Sequence, residues 1–313
     1  MGEDLRMGET IEVHRGSVQT WECDHMGHLN VRFYVDKAMQ GLVALVAHLG
    51  VAPRELRDRG WAVSAGTQHI RFLREQRSGA PYFVRAGVLG AEPSHALSVV
   101  EEMVSVATGD VAATFVGDCA VVDARTREAI ELPDGARERA RALLVELPAH
   151  ARPRGIAPLP PRPRPTLAEA EGLGLFATYQ ATVADAECDA SGHMTACHYM
   201  GAVSDSIPNL LLLLFGIDRS RNDRLGGAAL EYRFVYHSVP RAGDVLALRS
   251  GLAAVADKTY RIVHWLFDAA TGLAVATAEA VAVAMDLDTR RAIAIPDDVR
   301  ARLERAVIPG LTF

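Results

Sequence analysis

Apolar residues recur at helical spacing between residues 31 and 49, where Val31, Val35, Ala38, Leu42, Leu45, Val46 and Leu49 form one stripe. Asn30 stands before the stripe, where its side-chain oxygen can accept a helical amide. Gly50 stands after it, where a left-handed residue can close the last turn. The spacing predicts a helix over 31–49. A second helix is predicted over 196–215, between Thr195 and Gly216. It is apolar on most sides and contains Pro208, which should kink or divide it. An extended segment precedes each helix, at about 12–22 and 176–187. Four more follow, near 61–73, 81–91, 96–107 and 111–122 in the first half, and near 228–236, 245–255, 259–268 and 274–285 in the second. The turn formers Thr108-Gly109-Asp110 and Ala270-Thr271-Gly272 separate the last two of each set, as in antiparallel hairpins. A short helix closes each half, starting at Pro133-Asp134 and Pro296-Asp297.

The order of elements is given twice because the sequence is. Residues 22–30 read ECDHMGHLN and residues 187–195 read ECDASGHMT, so Asp24 and Asp189 stand 165 positions apart. Residues 123–134 (DARTREAIELPD) and 286–297 (DLDTRRAIAIPD) match again at an interval of 163. Two matches nearly in step mean a duplicated domain, at a period too long for a solenoid. Between the halves, residues 148–166 hold seven of the fifteen prolines together with Arg152, Arg154, Arg162 and Arg164. That composition predicts an extended, stiff spacer with no core of its own. The reading is α+β: domains at 1–147 and 167–313 joined by a linker at 148–166, each domain a curved antiparallel sheet wrapped around one long helix.

Composition narrows the function. A formal net charge of −6 argues against a nucleic-acid partner, which needs a basic face. The four cysteines form no disulfide framework, and two belong to the repeated phrase, which fits a reducing cytoplasm. The N-terminal ten residues are charged and polar, unlike a secretory signal. The longest apolar run, 210–215, is too short to span a bilayer, so no membrane partner is expected.

Chemistry is expected at the duplicated acidic loop. Asp24 and Asp189 lie between a strand end and a helix N-terminus, whose unpaired amides attract a developing oxyanion. A carboxylate beside such amides is half of an acyl-transfer site: the amides polarise a carbonyl, and the carboxylate attacks it or draws a proton from water. Gly27 and Gly192 allow the backbone a tight approach. Cys23, His25 and His28 beside Asp24 suggest a metal, but the second copy keeps only Cys188, Asp189 and His193, so no metal is expected.

The stretch 21–34, WECDHMGHLNVRFY, resembles the acyl-CoA thioesterases of the hotdog fold, especially the 4-hydroxybenzoyl-CoA thioesterase-like branch. Their loop typically reads D-x-D-x-x-G-H-x-N before the central helix. The resemblance implies that Asp24 and Asp189 serve as nucleophile or general base, while Glu22 and Glu187 replace the first acid. It implies helix amides at Val31 and Ala196 that polarise the thioester carbonyl, within a positioning set of Gly27, His28, Asn30, Gly192, His193 and Thr195. It further implies that the tandem halves imitate the usual hotdog dimer, with polar residues such as His69 and Glu231 contributed across it. These two are expected at comparable positions of the first strand after each helix. The substrate implied is an acyl-CoA ester, coenzyme A entering as part of the substrate with no other cofactor, and the double unit can assemble into a homo-oligomer. Asp24 is expected to be the stronger site, its Gly-His-Leu-Asn continuation being closer to the family pattern. Arg71, Arg74, Arg85, Arg233, Arg241 and Arg249 are available to coenzyme A phosphates, and the run 210–215 could line an acyl tunnel or simply fill the core. Two other readings stay open. One is an enoyl thioester hydratase on the same fold, whose Asp-x-Asn-Pro-x-His segment is not found. The other is a non-catalytic acyl-thioester binder, which could dispense with both aspartates.

Overall fold

A computed structural model describes residues 9–92, 95–157, 160–216 and 225–313. The chain divides into two compact units, Met1–Arg152 and Pro153–Phe313. In the first, strand β1 (Ile11–Ser17) leads through one 3-10 turn (Thr20–Glu22) to helix α1 (Val31–His48). Helix α2 (Pro53–Arg59), strands β2 (Trp61–Phe72), β3 (Pro81–Gly90), β4 (Leu97–Ser105) and β5 (Val111–Asp123), and helix α3 (Asp134–Ala142) follow. The strands run β1-β3-β4-β5-β2, antiparallel at every pairing. The second unit begins with α4 (Leu167–Gly172) and β6 (Phe176–Thr182), then a 3-10 turn (Asp185–Glu187) and α5 (Ala196–Phe215). It continues with β7 (Leu225–Tyr236), β8 (Val245–Val255), β9 (Thr259–Asp268), β10 (Ala274–Asp286), the short β11 (Arg291–Ala292) and α6 (Asp297–Ala306). Its order is β6-β8-β9-β10-β7, the same topology. Each unit is thus a hotdog domain, one long helix against an antiparallel sheet.

The apolar stripe explains the packing. Val35 and Ala38 are buried, and Leu42, Leu45, Val46 and Leu49 are buried together with Ala86, Val88, Leu97, Val99 and Cys119 of the sheet and Leu132, Ala136 and Ala140 around α3. At the end of α1, Gly50 adopts φ +95° and Arg139 donates to the Leu49 carbonyl at 2.8 Å. In the second unit the run 210–215 is mostly core: Leu210, Leu211, Leu214 and Phe215 are buried, and only Leu212 and Leu213 face outward. A separate cluster of Val263, Trp265, Phe267, Leu175, Leu311 and Phe313 covers the other face of that sheet. Among the described residues no single helix is long and apolar enough to cross a membrane.

Four details depart from the periodicity. The first strand of each unit stops five residues short of the acidic phrase, because Glu22 and Glu187 turn back to accept the amides of Gln19 and Ala184, both at 2.9 Å, and wind a 3-10 turn. Helix α2 has no apolar stripe of its own to announce it; Pro53 starts it and left-handed Gly60 ends it. Pro208 does not divide α5, which continues to Phe215 with Ser206 bonded to the Val203 carbonyl and Asn209 to the Thr178 carbonyl. The proline-rich segment, finally, is laid down rather than suspended. Arg164 donates to the Ala274 carbonyl at 2.6 Å, Thr166 caps α4, and the Arg162 guanidinium lies 4.5 Å from the Trp265 ring centre.

Beneath α5 runs a buried polar chain: the Thr178 and Ser250 hydroxyls stand 2.8 Å apart, and Ser250 Oγ is 2.8 Å from His264 Nδ1. Burial pushes the His264 imidazole down to about 3. The unfolded chain therefore takes up a proton that the folded unit refuses, and stability falls as pH drops from the ordinary imidazole range toward 3. Between pH 7 and pH 5 this costs about 2 kcal/mol. His264→Gln, which can still bond to Ser250, is expected to flatten the dependence by that amount in urea unfolding at the two pH values; an unchanged slope would remove His264 as its source.

Candidate active site

Each acidic loop is wound around its own aspartate. In the first unit the Asp24 amide donates to the His28 carbonyl at 2.7 Å, and the Gly27 amide returns to the Asp24 carbonyl at 3.0 Å. Asp24 Oδ1 accepts from the amides of Met26 (2.8 Å) and His28 (3.2 Å). The second unit repeats the pattern: Asp189 to His193 at 2.8 Å, Gly192 to Asp189 at 2.9 Å, and Asp189 Oδ1 taking Ser191 (2.8 Å) and His193 (3.1 Å). Gly27 and Gly192 turn at φ +75° and +77°, a conformation that a side chain would strain. Oδ2 of each aspartate takes no hydrogen bond from a described residue. Asp24 is half-buried and Asp189 exposed.

The loop ends where the helix begins. Asn30 and Thr195 donate their amides to the carbonyls of Glu22 (2.9 Å) and Glu187 (3.0 Å), which seats the first turn of α1 and α5. The amides of Val31 and Ala196, the first helical residues, donate to no described residue. Beyond this the copies differ. Asn30 Oδ1 caps the Arg32 amide at 3.0 Å, whereas Thr195 makes no such cap and turns its hydroxyl to the Glu187 carbonyl and Cys197 Sγ, both at 3.4 Å.

His28 and His193 tie the loops to the connections between β2 and β3 and between β7 and β8. His28 Nε2 lies 3.0 Å from Glu75 Oε2, and His193 Nε2 accepts from Arg241 Nε at 3.2 Å. The backbones of His28 and His193 bridge to Arg77 and Arg241, and Leu29 and Met194 donate to the carbonyls of Gln76 and Pro240 at 2.8 Å. Arg77 and Arg241 therefore occupy one place in the two copies. Sequence reasoning took Arg241 only as one cation among six and missed Arg77; the shared Arg-x-Gly, with Gly79 and Gly243 both at positive φ, was the signal. Tyr34 and Tyr199, also one repeat apart, were missed as well. Their hydroxyls donate to the carbonyls of Arg74 and Ser238, and burial first, then the Glu75 and Asp24 charges, push the Tyr34 hydroxyl well up.

His69 and Glu231 are not equivalent. The bulges at Gly66 in β2 and Leu230 in β7 mark matching points, which pairs Thr67 with Glu231 and His69 with Arg233. Both are buried on the sheet face away from their unit's long helix. The Glu231 carboxylate accepts the amides of Arg154 (3.0 Å) and Gly155 (2.7 Å) and so pins the proline-rich segment. Among the other arginines considered, Arg71, Arg85 and Arg249 are committed to carbonyls or carboxylates. Among the described residues no group of three or more His, Cys, Asp and Glu is placed to hold a metal ion.

Glu22, the acid replaced in the phrase, is buried against Lys37 of α1 at 2.6 Å, while its counterpart Glu187 meets His198 Nδ1 at 3.2 Å. Burial disfavours the Lys37 charge, but hydrogen bonds from it to Glu22 and Asp36 outweigh that and raise the ammonium above its ordinary value. Lys37→Met leaves the Glu22 carboxylate buried without its cation, an expected loss of about 3–5 kcal/mol in urea unfolding. Adding Glu22→Gln is expected to restore most of it. A cost below about 1 kcal/mol would show the pair to be dispensable.

The sequence profile of a thioesterase-like superfamily matches residues 18–140 and 183–303, one stretch in each unit. No curated protein matches the chain. Among solved structures, a protein named as an oleoyl thioesterase from Lactobacillus plantarum is similar at 14% identity and a TM-score of 0.65, over 88% of this chain and 96% of that one. The 12:0-ACP thioesterase from Umbellularia californica is similar at 12% identity and 0.65, over 88% and 94%. An acyl-ACP thioesterase from Bacteroides thetaiotaomicron VPI-5482 is similar at 12% and 0.61, over 88% and 97%. At these identities the likeness is one of fold.

Proposed function

The chain belongs to the thioesterase-like superfamily, and from that membership we propose that it hydrolyses acyl-coenzyme A thioesters to a free acid and a thiol. The observation that carries the residue assignment is the duplicated loop: an aspartate with one oxygen tied to two backbone amides and the other uncommitted, leading directly to a helix whose first amide is unpaired. The tied oxygen fixes the orientation of the free one. Asp24 draws a proton from water as the water oxygen bonds to the thioester carbon, and the displaced electron pair moves to the carbonyl oxygen. The Val31 amide donates to that oxyanion. Collapse restores the C=O bond, breaks C–S, and returns the proton from Asp24 to the departing thiolate. Direct attack by the same carboxylate, with the C–S bond breaking and the thiolate leaving to take a proton from solvent, would give a mixed anhydride that water then opens; both routes need the ionised aspartate. The step calls on no metal or redox group.

Asp24, half-buried behind a capped helix, is the dominant site, and Asp189 with Ala196 the lesser one. His28, Asn30, His193 and Thr195 hold the loops, and Arg241, bonded to His193 at the base of the second loop, is the cation assigned to a coenzyme A phosphate. His69 is not assigned a role in the step, and Glu231 serves the segment it pins.

Substitution by asparagine keeps the Oδ1 acceptor and removes only the base. In assays of free-thiol release from a panel of acyl-coenzyme A and acyl-carrier-protein esters, Asp24→Asn is expected to lower kcat about 10²–10⁴-fold, and Asp189→Asn less than about tenfold. Wild-type rates in both variants would remove the aspartates from the chemistry. No thiol release from any ester by folded protein would overturn the hydrolase.

A further inference from the structure

Exchanges between the two units fall both inside and on the surface. Inside, counted from the bulges at Ala112 and Val275, Glu101 of β4 corresponds to His264 of β9. Glu101 is 1% exposed and rests against Gly41 of α1, where a Cβ would overlap Oε1. On the surface, one set of exchanges gathers at a single edge of the second unit.

β1 and β6 end the strand orders of their units, and among the described strands each pairs on one side only, with β3 and with β8. Such an edge presents backbone amides and carbonyls to any strand that arrives, and charged side chains commonly guard it. β1 is guarded. It carries Glu12, His14 and Arg15, and the Glu12 carboxylate accepts two bonds from Arg15 at 2.6 and 2.5 Å. β6 stands 165 positions on, and there Ala177, Tyr179 and Gln180 replace those three residues. The strand Phe176–Thr182 is left with no charge at all, and Ala177, Gln180 and Thr182 are exposed. Bulges lie at matching places in the two edges, Val13 and Thr178, so the charge is what distinguishes them.

The helix beside this edge differs as well. Asn209 of α5 donates to the Thr178 carbonyl of β6 at 2.9 Å. Leu212 and Leu213 follow three and four residues later, on the same side of the helix, and are 54% and 51% exposed. The buried stripes fix what they replace. Leu45, Val46 and Leu49 stand 165 positions before Leu210, Leu211 and Leu214, and all six are buried. Leu212 and Leu213 therefore take the places of Ala47 and His48. The second unit has lost the charges from its edge strand and gained two exposed leucines on the helix bonded to that strand.

We propose that this edge is where two copies of the chain associate, β6 against β6, antiparallel about a two-fold axis, with the leucines of α5 packed over the junction. The open edge calls for a strand, and the absence of charge selects a second copy. A two-fold axis brings side chains near their own counterparts, where a charge would meet its like, and β6 has none to oppose there. Antiparallel copies of one strand also match donor to acceptor along their shared edge. Assembly stops at two chains, because joining β6 to the other outer edge would build an open filament and β1 keeps the charges that refuse it.

The test is sedimentation velocity on the full chain over a dilution series through the micromolar range. The unsubstituted chain is expected at twice the chain mass when concentrated and at the chain mass when dilute. Two substitutions return the first unit's character to this edge. Gln180→Lys puts a cation where β1 has Arg15, and Leu212→Ala with Leu213→His restores the first unit's pair. Each is expected to weaken the dimer by about tenfold or more. Amide hydrogen exchange on the unsubstituted chain needs no variant to fold: residues 176–182 are expected to exchange more slowly in the concentrated sample than in the dilute one. The chain mass at every concentration would overturn the proposal. So would a dimer that tolerates both substitutions, or one whose β6 amides exchange equally fast at both ends of the series.

Discussion

The site depends on one carboxylate oxygen accepting two backbone amides. Without the bonds from Met26 and His28 to Asp24, or from Ser191 and His193 to Asp189, nothing would hold the chain in the left-handed turn at Gly27 and Gly192. That turn brings Leu29 and Met194 onto the carbonyls of Gln76 and Pro240, and this docking sets where each long helix begins. The residue assigned to the chemistry is thus also the one that shapes the loop. One oxygen of the aspartate is structural, which leaves the other a fixed direction without a dedicated orienting residue.

Duplication preserved this frame and let its surroundings drift. The four loop distances agree between copies to about a tenth of an ångström. The helix caps do not: an asparagine satisfies the second amide of α1, and a threonine leaves that work undone in α5. The acid that opens the phrase is buried against a lysine in one unit and half-buried beside a histidine in the other. Hydrogen bonds that close within a few residues survive substitution around them, while long side-chain contacts depend on two positions changing together.

The same distinction decides what could be read from the sequence. The helix over 31–49, the strand set of each half and the loop aspartates were legible because each follows from short-range spacing or from a phrase given twice. The 3-10 turns were not, since they arise when Glu22 and Glu187 bend back to a local amide in a stretch that otherwise alternates like a strand. Matching His69 to Glu231 failed for a definite reason. The interval between copies narrows from 165 at the loops to 164 at β2 and β7 and 163 at β5 and β10, and only the bulges at Gly66 and Leu230 locate the step. The partnership of Glu101 with Gly41 was equally hidden, sixty residues apart and joined by an absent methyl group.

Glu101 and His264, one position in two copies, place opposite demands on protons. In the first unit burial raises the Glu101 carboxyl above its unfolded value, so this unit loses stability as the pH rises from the ordinary carboxylate range toward that raised value. The second keeps a hydrogen off its buried imidazole that the unfolded chain would accept, so it loosens as the solution turns acid. Taken by themselves, the two groups pull the two near-copies in opposite directions along the pH scale: a rise weakens the first and a fall weakens the second.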